Sequence, residues 1–330
     1  MKKLIRLIKD LIKDNLEDFK RLFPRNLKDD KNNNLSHNQI YPSGKNLIEI
    51  LNSNAQENLK DLNISKKSKI ASLGTCFAEE IASHFKNQEN KLEYINLEKN
   101  IFNFSANWGR VYTIKNLFQI VSYSIDKIEI PIYVEKHKDI FFDPLREYSI
   151  GSFNSQEEAV INIKKHRKSS RDVFEKADVL IITIGKNEFW YDSQKDIAWG
   201  RTPPKSFRNN ANRFKASEYS FVQNSNDLDA IIKKLKEFNP RLKIILTVSP
   251  VPEYATFLNR NIVSQAFAGK CILRAVVHEI IAKHDEVFYF PSFEYVLTDN
   301  PNSYIDDNMH IKRFKVAQIL KSLENAIFIK

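Results

Sequence analysis

The sequence predicts an α/β fold: a three-layer sandwich with a mostly parallel central sheet flanked by helices. Three observations carry that prediction. Short runs rich in Val, Ile and Leu, "KIASL", "VLIITI", "KIILTV" and "VFYF", recur along the chain with strand length rather than helix length. A segment with helical spacing follows the first run and precedes each of the other three, the alternation of a parallel sheet covered on both faces. Gly, Ser or Pro follows each run directly, marking the turns.

Taken in order, the chain opens with "MKKLIRLIKDLIKDNLEDFKRLF", in which Leu4, Leu7, Ile8, Leu11, Ile12, Leu16, Phe19 and Phe23 recur at helical spacing before Pro24. This amphipathic segment, residues 1–23, is suited to a peripheral membrane surface or to a protein partner. Its acids at Asp10, Asp14, Glu17 and Asp18 weaken the membrane reading. A polar linker runs from about Arg25 to Asn46, so the expected division is 1–45 for helix and linker and 46–330 for the α/β domain.

Within that domain, Lys69 to Leu73 reads as a strand, Phe77 to Lys86 as a helix and "LEYIN" from Leu92 as a second strand. "IPIYVEKHKDIFFDPLREYSIG" has the alternation and turn residues of a hairpin. Gln156 to Ala177 is a helix feeding "VLIITIG", Asp227 to Phe238 one feeding "KIILTVSP", and Ile262 to His284 one feeding "VFYFPS". Ile311 to Leu323 is the closing helix.

Composition limits the function. The 330 residues are 42% hydrophobic, enough for a large core, and no apolar run is long enough to span a bilayer. The net charge of +10 comes from lysines spread through the chain, which argues against a specific nucleic-acid site. Two cysteines and no secretory signal point to a reducing, cytoplasmic setting, with peripheral membrane contact open through the first helix. Neither a metal-ligand cluster nor a Gly-rich phosphate loop is present in the sequence pattern, so catalysis is expected to need no cofactor.

Ligands of open α/β sheets bind beyond the carboxyl ends of the strands. The residues there are Gly74-Thr75-Cys76, Gly185-Lys186-Asn187-Glu188, Ser249-Pro250 and Pro291-Ser292, with Asp307 and His310 of "YIDDNMHI" just before the last helix. Gly-x-Ser/Cys, Gly-x-Asn-Asp/Glu and Asp-x-x-His in this order resemble the SGNH (GDSL-type) hydrolase and acyltransferase superfamily. "LGTCFAEEI", "NWGRVY", "LTVSPVP", "LRAVVHEI" and "YFPSFEYV" resemble more closely the GSCFA family within it, over roughly Lys69 to Leu323.

The resemblance implies a covalent acyl-enzyme at Cys76, with His310 as general base and acid and Asp307 orienting the imidazole. It places Gly109 and Asn187 at oxyanion-hole positions, with Thr75 beside the nucleophile. The family pattern has Ser where this chain has Thr75, so Thr75 and Cys76 both stand at the nucleophile position. Cys76 is preferred, because a bulkier β-branched threonine is a questionable replacement for a nucleophilic serine but a tolerable neighbour of a cysteine; the helix N-terminus beginning at Phe77 would also lower the thiol's pKa and favour the thiolate.

A thiol exchanges acyl groups with a thioester at little net cost, which favours acyl transfer from a donor such as an acyl-CoA to a carbohydrate or surface-polymer precursor. Ester hydrolysis is the alternative, and a non-catalytic binding module is the alternative of another class. Among the aromatics near the motifs, Trp108, Phe189, Trp190, Tyr191 and Trp199, one or two are expected to form a stacking wall. Cys271 is expected to be a packed residue, and His166 to lie on a solvated helix face.

Overall fold

The computed structural model describes residues 47–65, 67–87, 92–98, 101–126 and 131–328, together with Gln39 and Tyr41. The predicted helix 1–23 and most of the linker lie outside these residues. The chain divides into two units, Met1–Ser53 and Asn54–Lys330. Helix α1, Leu47–Leu59, is an element for which the sequence reading had no counterpart.

The larger unit is built on strands β1 (Lys69–Gly74), β2 (Glu93–Tyr94), β6 (Val179–Ile184), β10 (Lys243–Val248) and β11 (Val287–Tyr289). They form one sheet in the order β11-β10-β6-β1-β2, and every pairing is parallel. The predicted α/β class and parallel sheet are therefore present. Every residue of β6 is buried, which is why its sequence is a continuous apolar run rather than an alternation.

From β1 the chain moves outward in one direction, through helix α2 (Cys76–Lys86), to β2. It then returns to the other side of β1 and builds β6, β10 and β11 outward in the opposite direction. Crossovers between parallel strands are right-handed, so this reversal sends helices to both faces of the sheet. Helix α2 packs on β1, β6 and α8 (Arg313–Ile327). Helices α3 (Ile114–Ile125), α4 (Gln156–Lys176), α5 (Phe221–Phe238) and α6 (Ile262–Lys283) form a second mutually packed group. The reversal leaves a topological switch point between β1 and β6.

Between β2 and β6 the predicted hairpin is present as β3 (Glu135–His137) and β4 (Ile140–Phe142), with β5 (Ser152–Phe153) as a third strand. A second small antiparallel sheet, β8-β7-β9, was not foreseen: β7 is Glu188–Asp192, β8 Ile197–Ala198 and β9 Phe214–Glu218. Phe142, Leu145, Ile197, Trp199 and Phe214 make a satellite core shared by the two small sheets. Helix α5 begins at Phe221, six residues before the predicted start. Ser220 and Gln223 form a capping box there, which starts the helix ahead of its apolar periodicity.

His166 is buried rather than solvated. It shares the inner face of α4 with Ala159, Ile163, Ser170 and Val173, at alternating spacings of three and four, and it bonds to Glu98 and the Tyr123 hydroxyl at 2.8 and 3.2 Å. Cys271 is exposed, since α6 turns Leu273, Val276 and Val277 to the core instead. Among the described residues no helix is long and apolar enough to cross a membrane.

Candidate active site at the switch point of the sheet

Strand β1 ends on Gly74, whose φ of +139° is open to glycine, and a Cβ there would stand 2.3 Å from the Thr183 carbonyl oxygen. The tight exit delivers Thr75 to the N-cap of α2. Its hydroxyl accepts the Phe77 N–H at 3.1 Å, and the side chain is 1% exposed. The next strand leaves room for it: a Cβ on Gly185 would lie 2.4 Å from Thr75 Cγ2. Thr75 is thus committed to capping and packing. Cys76, the first helical residue, is the partly exposed one of the pair.

A loop from the insertion lies across these strand ends. Val111 donates its N–H to the Gly74 carbonyl at 2.7 Å, and the Tyr112 carbonyl accepts both Gly185 and Lys186 N–H groups at 3.0 and 2.9 Å. Gly109 therefore sits close to the end of β1, with φ +70° and Glu147 and Ile150 packed against its α-carbon. Trp108, one residue earlier, points into the core and stacks on Phe174.

Burial pushes the Cys76 thiol above its ordinary pKa. Arg110, Lys270 and the Phe77 N–H pull it the other way without cancelling the desolvation. The helix terminus alone does not make this a resting thiolate, contrary to the expectation from dipole and capping.

Asp307 and His310 are joined as the sequence spacing implied. His310 Nδ1 and Asp307 Oδ2 are 2.5 Å apart, and Asp307 Oδ1 accepts the backbone N–H groups of Met309 and His310. The His310 hydrogen bonds hold the carboxyl down at about 2. The imidazole is 61% exposed, and among the described residues no hydrogen bond joins it to Cys76.

Asn187 is 2% exposed. Its amide donates to the Tyr219 carbonyl at 2.7 Å, and its oxygen accepts from Asn224 Nδ2 at 2.7 Å. The following residue, Glu188, fastens a neighbouring loop by accepting from the Thr256 hydroxyl and the Phe257 N–H, at 2.5 and 2.8 Å. The Gly-x-Asn-Glu motif thus braces the rim of the site from behind.

Two residues that sequence reasoning passed over lie beneath the site. Lys270, on α6, is 5% exposed and donates to the carbonyls of Gly185 and Ser249 at 2.6 and 2.7 Å, the residues that directly follow β6 and β10. Burial lowers its pKa to about 7, against the opposing pull of Glu253 and Cys76. Glu253 is itself buried, and desolvation raises it despite Lys186 and Lys270. A lysine in the apolar stretch "AFAGKCIL" was the available signal, because a charge on the inner side of a helix needs partners.

Two cavities open at this end of the sheet. One, of about 880 Å³, has Lys270, Asp307 and His310 on a largely apolar wall. The other, of about 510 Å³, is lined by Tyr112, Lys186, Phe189, Trp190, Trp199 and Arg201. Glu253 and Tyr254 belong to both walls. In the second cavity Lys186 Nζ lies 4.8 Å from the centre of the Tyr112 ring, and among the described residues the indole N–H groups of Trp190 and Trp199 have no partner. Of the aromatics singled out in the sequence, Phe189, Trp190 and Trp199 line this cavity and Tyr191 does not.

This strand order, with the candidate site at its switch point, defines a doubly wound parallel α/β protein of the flavodoxin-like topology. The chain belongs to the GSCFA family, whose pattern matches residues 69–323. No curated protein matches it. Among solved structures it is similar to a Clostridium thermocellum family 3 carbohydrate esterase, at 11% identity and TM-score 0.34, covering 78% of this chain and 93% of that one. It is also similar to a Streptococcus pneumonia protein provisionally described as a platelet activating factor, at 12% identity and TM-score 0.38, covering 86% and 94%. Likenesses this distant carry no argument about activity.

Proposed function

We propose that this protein is an acyl-transfer enzyme that works through a thioester on Cys76. The observation that carries the reading is the placement of Cys76 at the switch point, on the first turn of α2, with a preformed Asp307–His310 pair on the wall of the adjoining cavity. The thiol and the imidazole are unbonded in the free protein; catalytic hydrogen bonds commonly tighten only in the substrate complex.

In the first half-reaction His310 takes the thiol proton while Cys76 Sγ attacks the carbonyl carbon of a thioester donor such as an acyl-CoA. The new C–S bond forms, the donor's C–S bond breaks, and the departing thiolate takes the proton back from His310. In the second, an acceptor hydroxyl gives its proton to His310 and attacks the acyl carbon, and Cys76 leaves and recovers that proton. With the Phe77 and Glu79 N–H groups held by Thr75, the amides of Cys76 and Ala78 in the first turn of α2 are the natural donors to the developing oxyanion.

The second cavity supports transfer over hydrolysis. Lys186 and Arg201 on an aromatic wall suit an oxygen-rich acceptor such as a carbohydrate, with ring faces to stack against. Water in place of that acceptor would give the ester-hydrolase reaction.

Intact mass after incubation with acyl-CoAs and an activated ester tests the reading. The wild type gains one acyl group and Cys76→Ala gains none; sugar alcohols then discharge the adduct faster than water does. An unmodified wild type, with its thiol inert to a mild alkylating reagent, would refute it and leave a binding module.

A further inference from the structure

The larger cavity has a one-sided construction. Along α6, Val263, Ala266, Phe267 and Lys270 fall at intervals of three, one and three residues, so they share one face of the helix, and all four line the cavity. The face is graded. Lys270 is 5% exposed and lies at the inner end, where it donates to the carbonyl of Gly185, the residue packed against Thr75 next to Cys76, while Phe267 and Val263 are 54% and 62% exposed toward solvent. No polar side chain interrupts the stripe between Lys270 and Val263. Phe293, Leu297 and Met309 also line the cavity.

We propose that this cavity is a subsite for an apolar acyl chain of about eight carbons, so that the donor carries a medium-chain acyl group rather than acetyl. The inference rests on the acyl-transfer reading and deepens it. An acyl carbon bonded to Cys76 lies near the Lys270 end, and its chain runs out along the α6 face. From Lys270 to Val263 is seven residues, about 10 Å at 1.5 Å per residue. An extended chain advances about 1.3 Å per bond, since three bonds cover 3.8 Å between consecutive α-carbons, so the face accommodates about eight bonds. A volume of about 880 Å³ falls within the range of small-molecule sites, whereas an acetyl group would leave most of this apolar wall wet.

The occupant is a chain and not a sugar, because the stripe offers no hydrogen-bonding group between its ends. Lys186 and Arg201, which suit a polar acceptor, line the other cavity, and the polar residues of this one, Glu253, Asp307, Asn308 and His310 among them, lie off the α6 face.

The experiment is the specificity constant for acylation of full-length protein by straight-chain acyl-CoAs from C2 to C10, read as free CoA release and as adduct mass. Burial of each methylene raises the constant about two- to fourfold up to about C8, after which the rise levels off. Val263→Asp and Phe267→Ser, both at exposed positions that the fold tolerates, flatten the series. A flat or acetyl-preferring series on protein that still acylates Cys76 overturns this inference and leaves the acyl-transfer reading standing. Absence of any adduct at every chain length overturns both. A chain-length rise that neither substitution alters assigns the preference to another wall and likewise overturns the inference.

Discussion

Replacing Lys270 by Met separates the electrostatics of the site from its shape. The ammonium is held by the carbonyls of Gly185 and Ser249 in a buried position, and it gives up its proton near pH 7 instead of 10.5. In the unfolded chain the proton stays on until about pH 10.4. Between those values the unfolded state binds more protons, so this group makes stability rise with pH, and the penalty for the buried charge is fully present below pH 7. At about 1.4 kcal/mol per pH unit, and with the folded lysine half protonated at pH 7, the gain from pH 7 to pH 9 is about 2 kcal/mol. Deprotonation weakens the two carbonyl bonds but keeps both, because a neutral amine still has two N–H groups for two acceptors. Methionine has no titration and leaves both carbonyls without a donor, each at about 1–3 kcal/mol. The assay is urea denaturation of wild type and Lys270→Met at pH 7 and pH 9. The stability difference should favour the wild type and widen by about 2 kcal/mol at the higher pH. A difference that stays constant or narrows would refute the argument, because it would mean that the lysine is charged and well compensated throughout.

Gly185→Ala places a methyl 2.4 Å from Thr75 Cγ2 and should destabilise the protein by about 1–3 kcal/mol in thermal denaturation; Thr75→Ser in that background, which removes Cγ2, should recover most of the loss. Iodoacetamide labelling of Cys76 should be slow at pH 7 and still be accelerating at pH 9, because burial holds the thiol up, and Arg110→Ala should shift the profile to still higher pH by removing the largest opposing charge. A labelling rate that saturates below pH 8 would contradict the thiol reading.

The parallel sheet was legible because β6 and β10 are covered on both faces and so read as unbroken apolar runs. The small antiparallel sheet was not, because β7, "EFWYD", mixes charge with aromatics and its partner β8 is two residues long. The Asp307–His310 pair was legible because its contact is local, a spacing of three residues that a single turn closes. Lys270 was legible only as a buried charge in need of partners, since the partners themselves lie 85 and 21 residues away and "AFAGKCIL" does not say which they are. Asn187 shows the limit of a motif: its position was legible, but the orientation of its amide depends on Tyr219 and Asn224, which no short pattern contains.

Glu253 and Tyr254 contribute to both cavity walls, and the loop that carries them is fastened by Glu188 through Thr256 and Phe257. That arrangement divides the molecule's freedom to diversify. Substitutions on the outer face of α6 alter one chamber, and those around Trp190 and Trp199 alter the other, so the two walls can drift independently. Changes at Glu253 and Tyr254 have no such independence. A residue exchanged there alters both walls at once, and the segment is expected to accept few replacements even where the walls on either side accept many.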